Sequence, residues 1–136
     1  MSAEPGAAGA TYLDSSALVK LAVDEAESPA LRAHLRTRVV RVSCALARVE
    51  VPRAVRQGGP AGIATAHDVL QGIRLVRLDD ALFDDAAVLT PSLRSLDAVH
   101  LAAARSLGDD LLAVVTYDRR MASAARELGL RVEQPA

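Results

Sequence analysis

The chain has 136 residues, a 51% hydrophobic fraction and a net charge of −1, which fits one compact domain with a real core and gives no global basic footprint for nucleic acid. It has one Phe, two Tyr and no Trp, too few rings for an aromatic platform that stacks bases, so any RNA contact must be mainly electrostatic. Cys44 is the sole cysteine, so no intrachain disulfide forms. The Ala/Gly-rich start lacks a basic and an apolar region, and no uncharged stretch approaches a membrane span. The chain therefore reads as soluble and cytoplasmic. Lys20 is the only Lys among 16 basic residues, and the rest are Arg, the better fork-shaped phosphate ligand. A genomic bias toward Ala, Arg and Val is the plainer account of that usage.

Residues 1–10 read as a flexible tail, and residues 11–136 as the domain. The run Ala10-Thr11-Tyr12-Leu13 is β-prone, and Asp14-Ser15-Ser16 caps a helix with Leu18, Leu21 and Ala22 on one face. A second helix starts at Ser28-Pro29, where Pro suits the first turn. Val39 to Val42 reads as a second strand, with Ser43 capping a helix from Cys44 to about Gln57. Gly58-Gly59-Pro60 ends it, and a further helix covers Ala61 to Gly72. Ile73 to Leu78 predicts a third strand, and Asp79-Asp80 cap a helix to about Leu89. Ser95 caps an Ala-rich helix ending at Gly108. Leu111 to Thr116 is continuously apolar, as a strand covered on both faces should be. A helix over Arg119 to Leu128, a stop at Gly129 and a short edge strand at Leu130 to Val132 complete the chain.

Strands alternating with helices imply a parallel sheet with helices on both faces. In such folds ligands bind beyond the carboxyl ends of the strands, at a topological switch point. Asp14 follows the first strand and Asp118 the fourth. Taken alone, each is an ordinary helix N-cap, and Asp97 in a first turn suits the helix dipole. Glu50 is different: it sits mid-helix among apolar neighbours, where a carboxylate is costly unless compensated. Arg48, Arg53 or a metal ion could compensate it. If all four acids converge, their mutual repulsion calls for a cation, and hard oxygen donors select Mg²⁺ or Mn²⁺ over Zn²⁺. His100, three residues after Asp97, is a candidate supporting partner or simply a core or surface histidine. The dense acidic runs at Asp79, Asp80, Asp84 and Asp85 and at Asp109-Asp110 read as solvated caps and loops. Neither a phosphate-binding Gly loop nor a Gly-x-Ser-x-Gly elbow is present.

Four strings give the chain a likeness to a known family. They are Tyr12-Leu13-Asp14-Ser15-Ser16-Ala17-Leu18-Val19-Lys20, Arg48-Val49-Glu50 with Arg53-Ala54, Leu96-Asp97-Ala98-Val99-His100-Leu101-Ala102-Ala103-Ala104, and Val115-Thr116-Tyr117-Asp118. In their order and spacing the sequence resembles the PIN-domain family, and within it the VapC-like toxins. The resemblance covers Thr11 to Val132. It implies a three-layer α/β/α sandwich around a parallel sheet of four or five strands. It also implies a metal-dependent endoribonuclease, the toxin component of a type II toxin–antitoxin system, in which Asp14, Glu50, Asp97 and Asp118 bind one or two Mg²⁺ or Mn²⁺ ions. Asp14 and Asp97 would be the principal ligands, Asp118 a further one, and Glu50 would orient the nucleophile or a second ion. Thr116 would help orient the pocket. Dimerisation and a small VapB-like antitoxin are implied as well.

Arg48, Arg53, Arg119 and Arg120 are candidates for backbone phosphates at the rim, or plain surface charges. The antitoxin tail is expected along Leu18, Leu21 and Val49. Pro52 departs from the family pattern and is expected to kink the Glu50 helix. The alternatives are a catalytically inactive PIN-like RNA-binding or scaffold protein, and a receiver-like domain. The second needs a Lys after a late strand, and Lys20 lies early.

Overall fold

The computed structural model describes residues 9–136. The expected tail lies outside the described residues except for Gly9 and Ala10, and Ala10 already belongs to the first strand. Five strands form one parallel sheet: β1 (Ala10–Leu13), β2 (Val40–Cys44), β3 (Arg74–Val76), β4 (Leu111–Val115) and β5 (Val132–Glu133). Their order is β3-β2-β1-β4-β5, so the chain winds outward from β1 in one direction and then returns to its other side. The switch point falls between β1 and β4, where Leu13 pairs with Val115.

The helices are α1 (Ser15–Ala22), α2 (Ser28–Leu35), α3 (Ala47–Val55), α4 (Gly59–Gln71), α5 (Asp80–Ala87), α6 (Ser95–Arg105) and α7 (Arg119–Glu127). Leu13 and Val115 pack with Leu18, Leu31, Leu35, Val51 and Val55, so α1 to α3 cover one face of the sheet. Tyr12, Val42 and Val114 pack with Leu82, Ala86, Val99 and Ala102, so α5 and α6 cover the other. Met121, Ala124 and Ala125 of α7 close against Leu101 of α6. This is the expected three-layer sandwich. The small residues of α6, with Ala102, Ala103 and Ala104 all buried, let that helix lie close on the strands.

Local chemistry sets most boundaries. Asp14, Asp79 and Asp118 each accept a backbone N–H three residues on, at Ala17, Leu82 and Met121. Gly129, with φ 79°, takes the left-handed conformation that stops α7. Two caps differ from expectation. Ser43 and Cys44 are buried strand residues of β2, because the parallel pairing continues through them in register with Leu75 and Val76. Arg94 occupies the N-cap position of α6, and Ser95 is its first helical residue. Pro52 is contained within α3, which runs on to Val55 before a 3₁₀ turn over Arg56–Gly58. No helix among the described residues is long and apolar enough to cross a membrane.

The edge strand is fastened by Glu133. Its carboxylate accepts two bonds from Arg38 at 2.8 and 2.9 Å, lies 2.8 Å from His34 Nε2, and meets Arg131 Nε at 3.1 Å. Burial pushes this carboxyl up, but Arg38 and His34 more than offset that and hold it at about 2, below its ordinary 4.5. A depressed carboxyl contributes stability that is complete above its unfolded value and is lost as pH falls through the folded one. The stability difference between the wild type and Glu133→Gln, measured by urea unfolding, should therefore be constant near neutrality and shrink between about pH 4.5 and about pH 2. A difference that stays flat across that window would contradict this account.

Candidate active site

Because β1 and β4 are neighbours and both end in capped helices, Asp14 and Asp118 arrive at the same edge of the sheet. The Asp14 N–H bonds to the Val115 carbonyl at 3.3 Å, which extends the strand pairing to the first acid. Asp14 is only 5% exposed. Oδ1 accepts from Ser16 Oγ at 2.6 Å and from the Ala17 N–H at 3.0 Å, while Oδ2 accepts from Thr116 Oγ1 at 2.5 Å. Burial raises this carboxyl above its usual range, against the opposing pull of these three donors. Thr116 Oγ1 in turn accepts the Asp118 N–H at 3.1 Å, and Ser16 Oγ accepts the Tyr117 N–H at 3.0 Å. The start of α1 and the loop from β4 to α7 are thus stitched together by two hydroxyls.

Glu50 projects from α3 toward the same edge. Oε1 accepts from Ser15 Oγ at 2.6 Å and from His100 Nε2 at 2.7 Å. Burial pushes Glu50 up, but the His100 and Ser15 bonds outweigh it and leave the carboxyl below its usual value. Asp97 in the first turn of α6 and Asp118 at the cap of α7 are joined through Arg94. Its Nε lies 3.3 Å from Asp97 Oδ2 and its Nη2 3.5 Å from Asp118 Oδ2. Arg94 is 68% exposed, so this is a loose contact of well under about 1 kcal/mol. Glu50, Arg94, Ser95, Leu96 and Asp97 line one open cleft.

The expected acids are therefore gathered at one end of the sheet, linked pairwise through Thr116, Arg94 and the α3–α6 cleft. They do not form a closed ligand sphere. Among the described residues no three His, Cys, Asp or Glu side chains stand close enough together to hold an ion as placed.

Arg48 and Arg53 do not compensate Glu50: both are exposed, and among the described residues neither is paired with it. The compensating groups are His100 and Ser15, which reach Glu50 from α6 and α1. His100 is 2% exposed, and its contact is with Glu50, not with Asp97 on its own helix. Arg119 and Arg120 are exposed beside Ser92, Ser123 and Glu127 on the flank of α7. Sequence reasoning missed Ser15, Ser16 and Arg94 as site residues. The serines were absorbed into the cap of α1, and Arg94 carried the one available signal, a position three residues before Asp97.

The PIN domain family matches residues 11–127. The chain is 52% identical to ribonuclease VapC46 of Mycobacterium tuberculosis, over 93% of this chain and 98% of that relative. It is 43% identical to ribonuclease VapC35 of the same species, over 91% of this chain and 96% of the relative. The crystal structure of M. tuberculosis VapC20, a sarcin-ricin loop cleaving toxin, superposes with a TM-score of 0.72 at 18% identity, covering 92% of this chain and 99% of that one. That of PAE2754 from Pyrobaculum aerophilum gives 0.61 at 22% identity, covering 94% and 86%. The chain belongs to the PIN-domain family. Within that family it is a VapC-like ribonuclease.

Thr116 is fully buried and bonds both Asp14 and the Asp118 backbone. Thr116→Val keeps the shape and deletes both bonds. It should destabilise the protein by about 1.5 to 3 kcal/mol in equilibrium unfolding, because a buried carboxylate loses a donor. An unchanged midpoint would show that the hydroxyl does not hold Asp14.

Proposed function

We propose that the protein is a divalent-metal-dependent endoribonuclease acting in the cytoplasm as the toxin of a type II toxin–antitoxin pair. The observation that carries this reading is that Asp14, Glu50, Asp97 and Asp118, from four separated stretches of chain, lie at the same end of the sheet. Their donor chemistry fits Mg²⁺ or Mn²⁺: all are hard oxygens, and Glu50 Oε2 and Asp97 Oδ1 receive no hydrogen bond among the described residues. Asp14 and Asp97 would be the principal ligands, Asp118 a further one, and Glu50 would orient the nucleophile or a second ion. A bound Mg²⁺ or Mn²⁺ supplies water activation and stabilises charge developing on the phosphate.

The chain's own groups do the rest. Thr116 and Ser16 hold Asp14 in one orientation. Arg94 lies across Asp97 and Asp118 on an exposed stem, so it is free to turn to a substrate phosphate when those acids take another cation. Arg48, Arg53, Arg119 and Arg120 remain candidates for phosphates farther along the strand. The inactive scaffold alternative finds no support, since the acid set is complete and the curated relatives are ribonucleases.

A VapB-like antitoxin is the partner of this reading. Leu18 is fully buried and cannot meet a partner, which removes it from the expected docking face. Val49 is 58% exposed, one residue before Glu50, and remains available to a partner's apolar side chain. Self-association as a homodimer also belongs to this reading. Exposed Phe83 and Val88 offer it apolar surface, and light scattering of the purified chain would test it.

The deciding experiment pairs RNA cleavage with metal binding. Asp97→Ala should abolish Mn²⁺-dependent cleavage at unchanged melting temperature, whereas Asp84→Ala, at an exposed position of α5, should cleave like the wild type. Mn²⁺ should raise the melting temperature of the wild type more than that of Asp14→Asn, because a ligand that binds the native state stabilises it by linkage. If Asp84→Ala is inactive and Asp97→Ala active, or if both proteins shift equally with Mn²⁺, the acids are wrongly assigned.

A further inference from the structure

His100 is only 2% exposed, and its ring touches four elements at once. From α6, Nε2 reaches Glu50 Oε1 on α3 at 2.7 Å and Ser15 Oγ on α1 at 3.2 Å. Nδ1 lies 2.8 Å from the Tyr12 hydroxyl on β1 and 3.6 Å from Cys44 Sγ on β2. Tyr12, Cys44 and His100 are all within 2% of complete burial.

The chemistry of the partners fixes the proton. A carboxylate only accepts, so Nε2 must carry hydrogen whether the ring is neutral or charged. In the neutral ring Nδ1 then accepts from Tyr12, and in the charged ring it donates to the Tyr12 oxygen. Either way the imidazole is held at both ends, and its Nε2–H points at one oxygen of Glu50.

The result is an asymmetric carboxylate. Oε1 takes both protein donors, Ser15 and His100, while Oε2 takes none among the described residues. Glu50 lines the cleft with Asp97. A free glutamate side chain has several rotamers and two equivalent oxygens. Here one oxygen is pinned from the interior and the other is left for the cleft. Composition, charge and core packing do not require this: a leucine at position 100 would fill the same apolar layer between α6 and β2.

We propose that His100, braced by Tyr12, is a positioning residue that acts through Glu50, holding Oε1 so that Oε2 is presented to the metal or the attacking water. The proposal rests on the reading of Glu50 as a site acid. Outer groups that orient a ligand are commonly worth 10- to 100-fold in metal affinity or rate.

The test is a double-mutant cycle read by Mn²⁺ titration calorimetry and by steady-state cleavage of a model RNA. Alone, His100→Leu should weaken Mn²⁺ binding and lower kcat by roughly 10- to 100-fold, with KM for RNA within about twofold. His100→Gln, whose amide can still donate to Oε1, should recover most of that loss. Tyr12→Phe, which frees Nδ1 without touching Glu50, should show a smaller loss of the same kind. In a Glu50→Gln background, His100→Leu should have no further effect, since a residue acting through Glu50 has nothing left to position.

Full additivity of the two substitutions would overturn the proposal, as would His100→Leu with wild-type Mn²⁺ affinity and kcat. If His100→Leu does not fold, Tyr12→Phe decides: unchanged Mn²⁺ affinity and kcat would overturn the proposal equally. Failure of the underlying reading looks different, because Glu50→Gln alone would then bind Mn²⁺ and cleave RNA like the wild type.

Discussion

A carboxylate buried at the end of the central strand is the constraint on which the rest of this site depends. Asp14 is 5% exposed, and an ionised group so placed is tolerated only if donors surround it. Three do: Ser16 Oγ, Thr116 Oγ1 and the Ala17 N–H. Each hydrogen bond to a charged group is worth about 1.5 to 3 kcal/mol, so the three together are of the order needed to keep the group in place. Meeting that need fixes the loop after β4 against the start of α1. The same loop carries Asp118, so satisfying one acid positions another.

The four acids divide into two kinds. Asp14 and Glu50 are each held by two side-chain donors. Asp97 and Asp118 share a single exposed guanidinium as their side-chain donor, and Asp118 also accepts the Met121 N–H. A pair held by several donors beside a pair sharing one exposed guanidinium is an arrangement in which a cation could take the guanidinium's place without reorganising the core. It also accounts for the open geometry, in which the acids line one edge without closing on a common point.

The site loop is braced from a third direction. Gln134 Nε2 donates to the Thr116 carbonyl at 2.8 Å, and the Tyr117 hydroxyl donates to the Pro135 carbonyl at 2.6 Å. Lys20 sits 4.8 Å above the Tyr117 ring while pairing with Glu25 and Glu27. The lone lysine therefore links α1, the N-terminal end of α2 and the site loop, a structural task that leaves it unavailable to substrate. The chain beyond β5 has an equally definite role, since Gln134 satisfies the Thr116 carbonyl, a backbone group of the loop that α1 does not reach.

The sequence by itself determined the elements and named the candidate acids. Alternating apolar runs, caps at Asp14, Asp79 and Asp118 and the stop at Gly129 are local signals, set by backbone N–H groups within three residues. They sufficed for an alternating α/β chain, and two strand-end acids then pointed to the switch point. Ser43 shows the limit even there: its cap chemistry is sound, but pairing with β3 keeps it in the strand. What holds each acid was decided only by the tertiary structure. Thr116 meets Asp14 across 102 positions of sequence, His100 meets Glu50 across 50, and Ser15 meets Glu50 across 35. Arg48 and Arg53 are near Glu50 in the chain, yet they point to solvent because α3 buries Ala47, Val51 and Val55 against the sheet. Spacing along a chain fixes which face of a helix a residue occupies, but the partner on that face is set by which strands lie side by side.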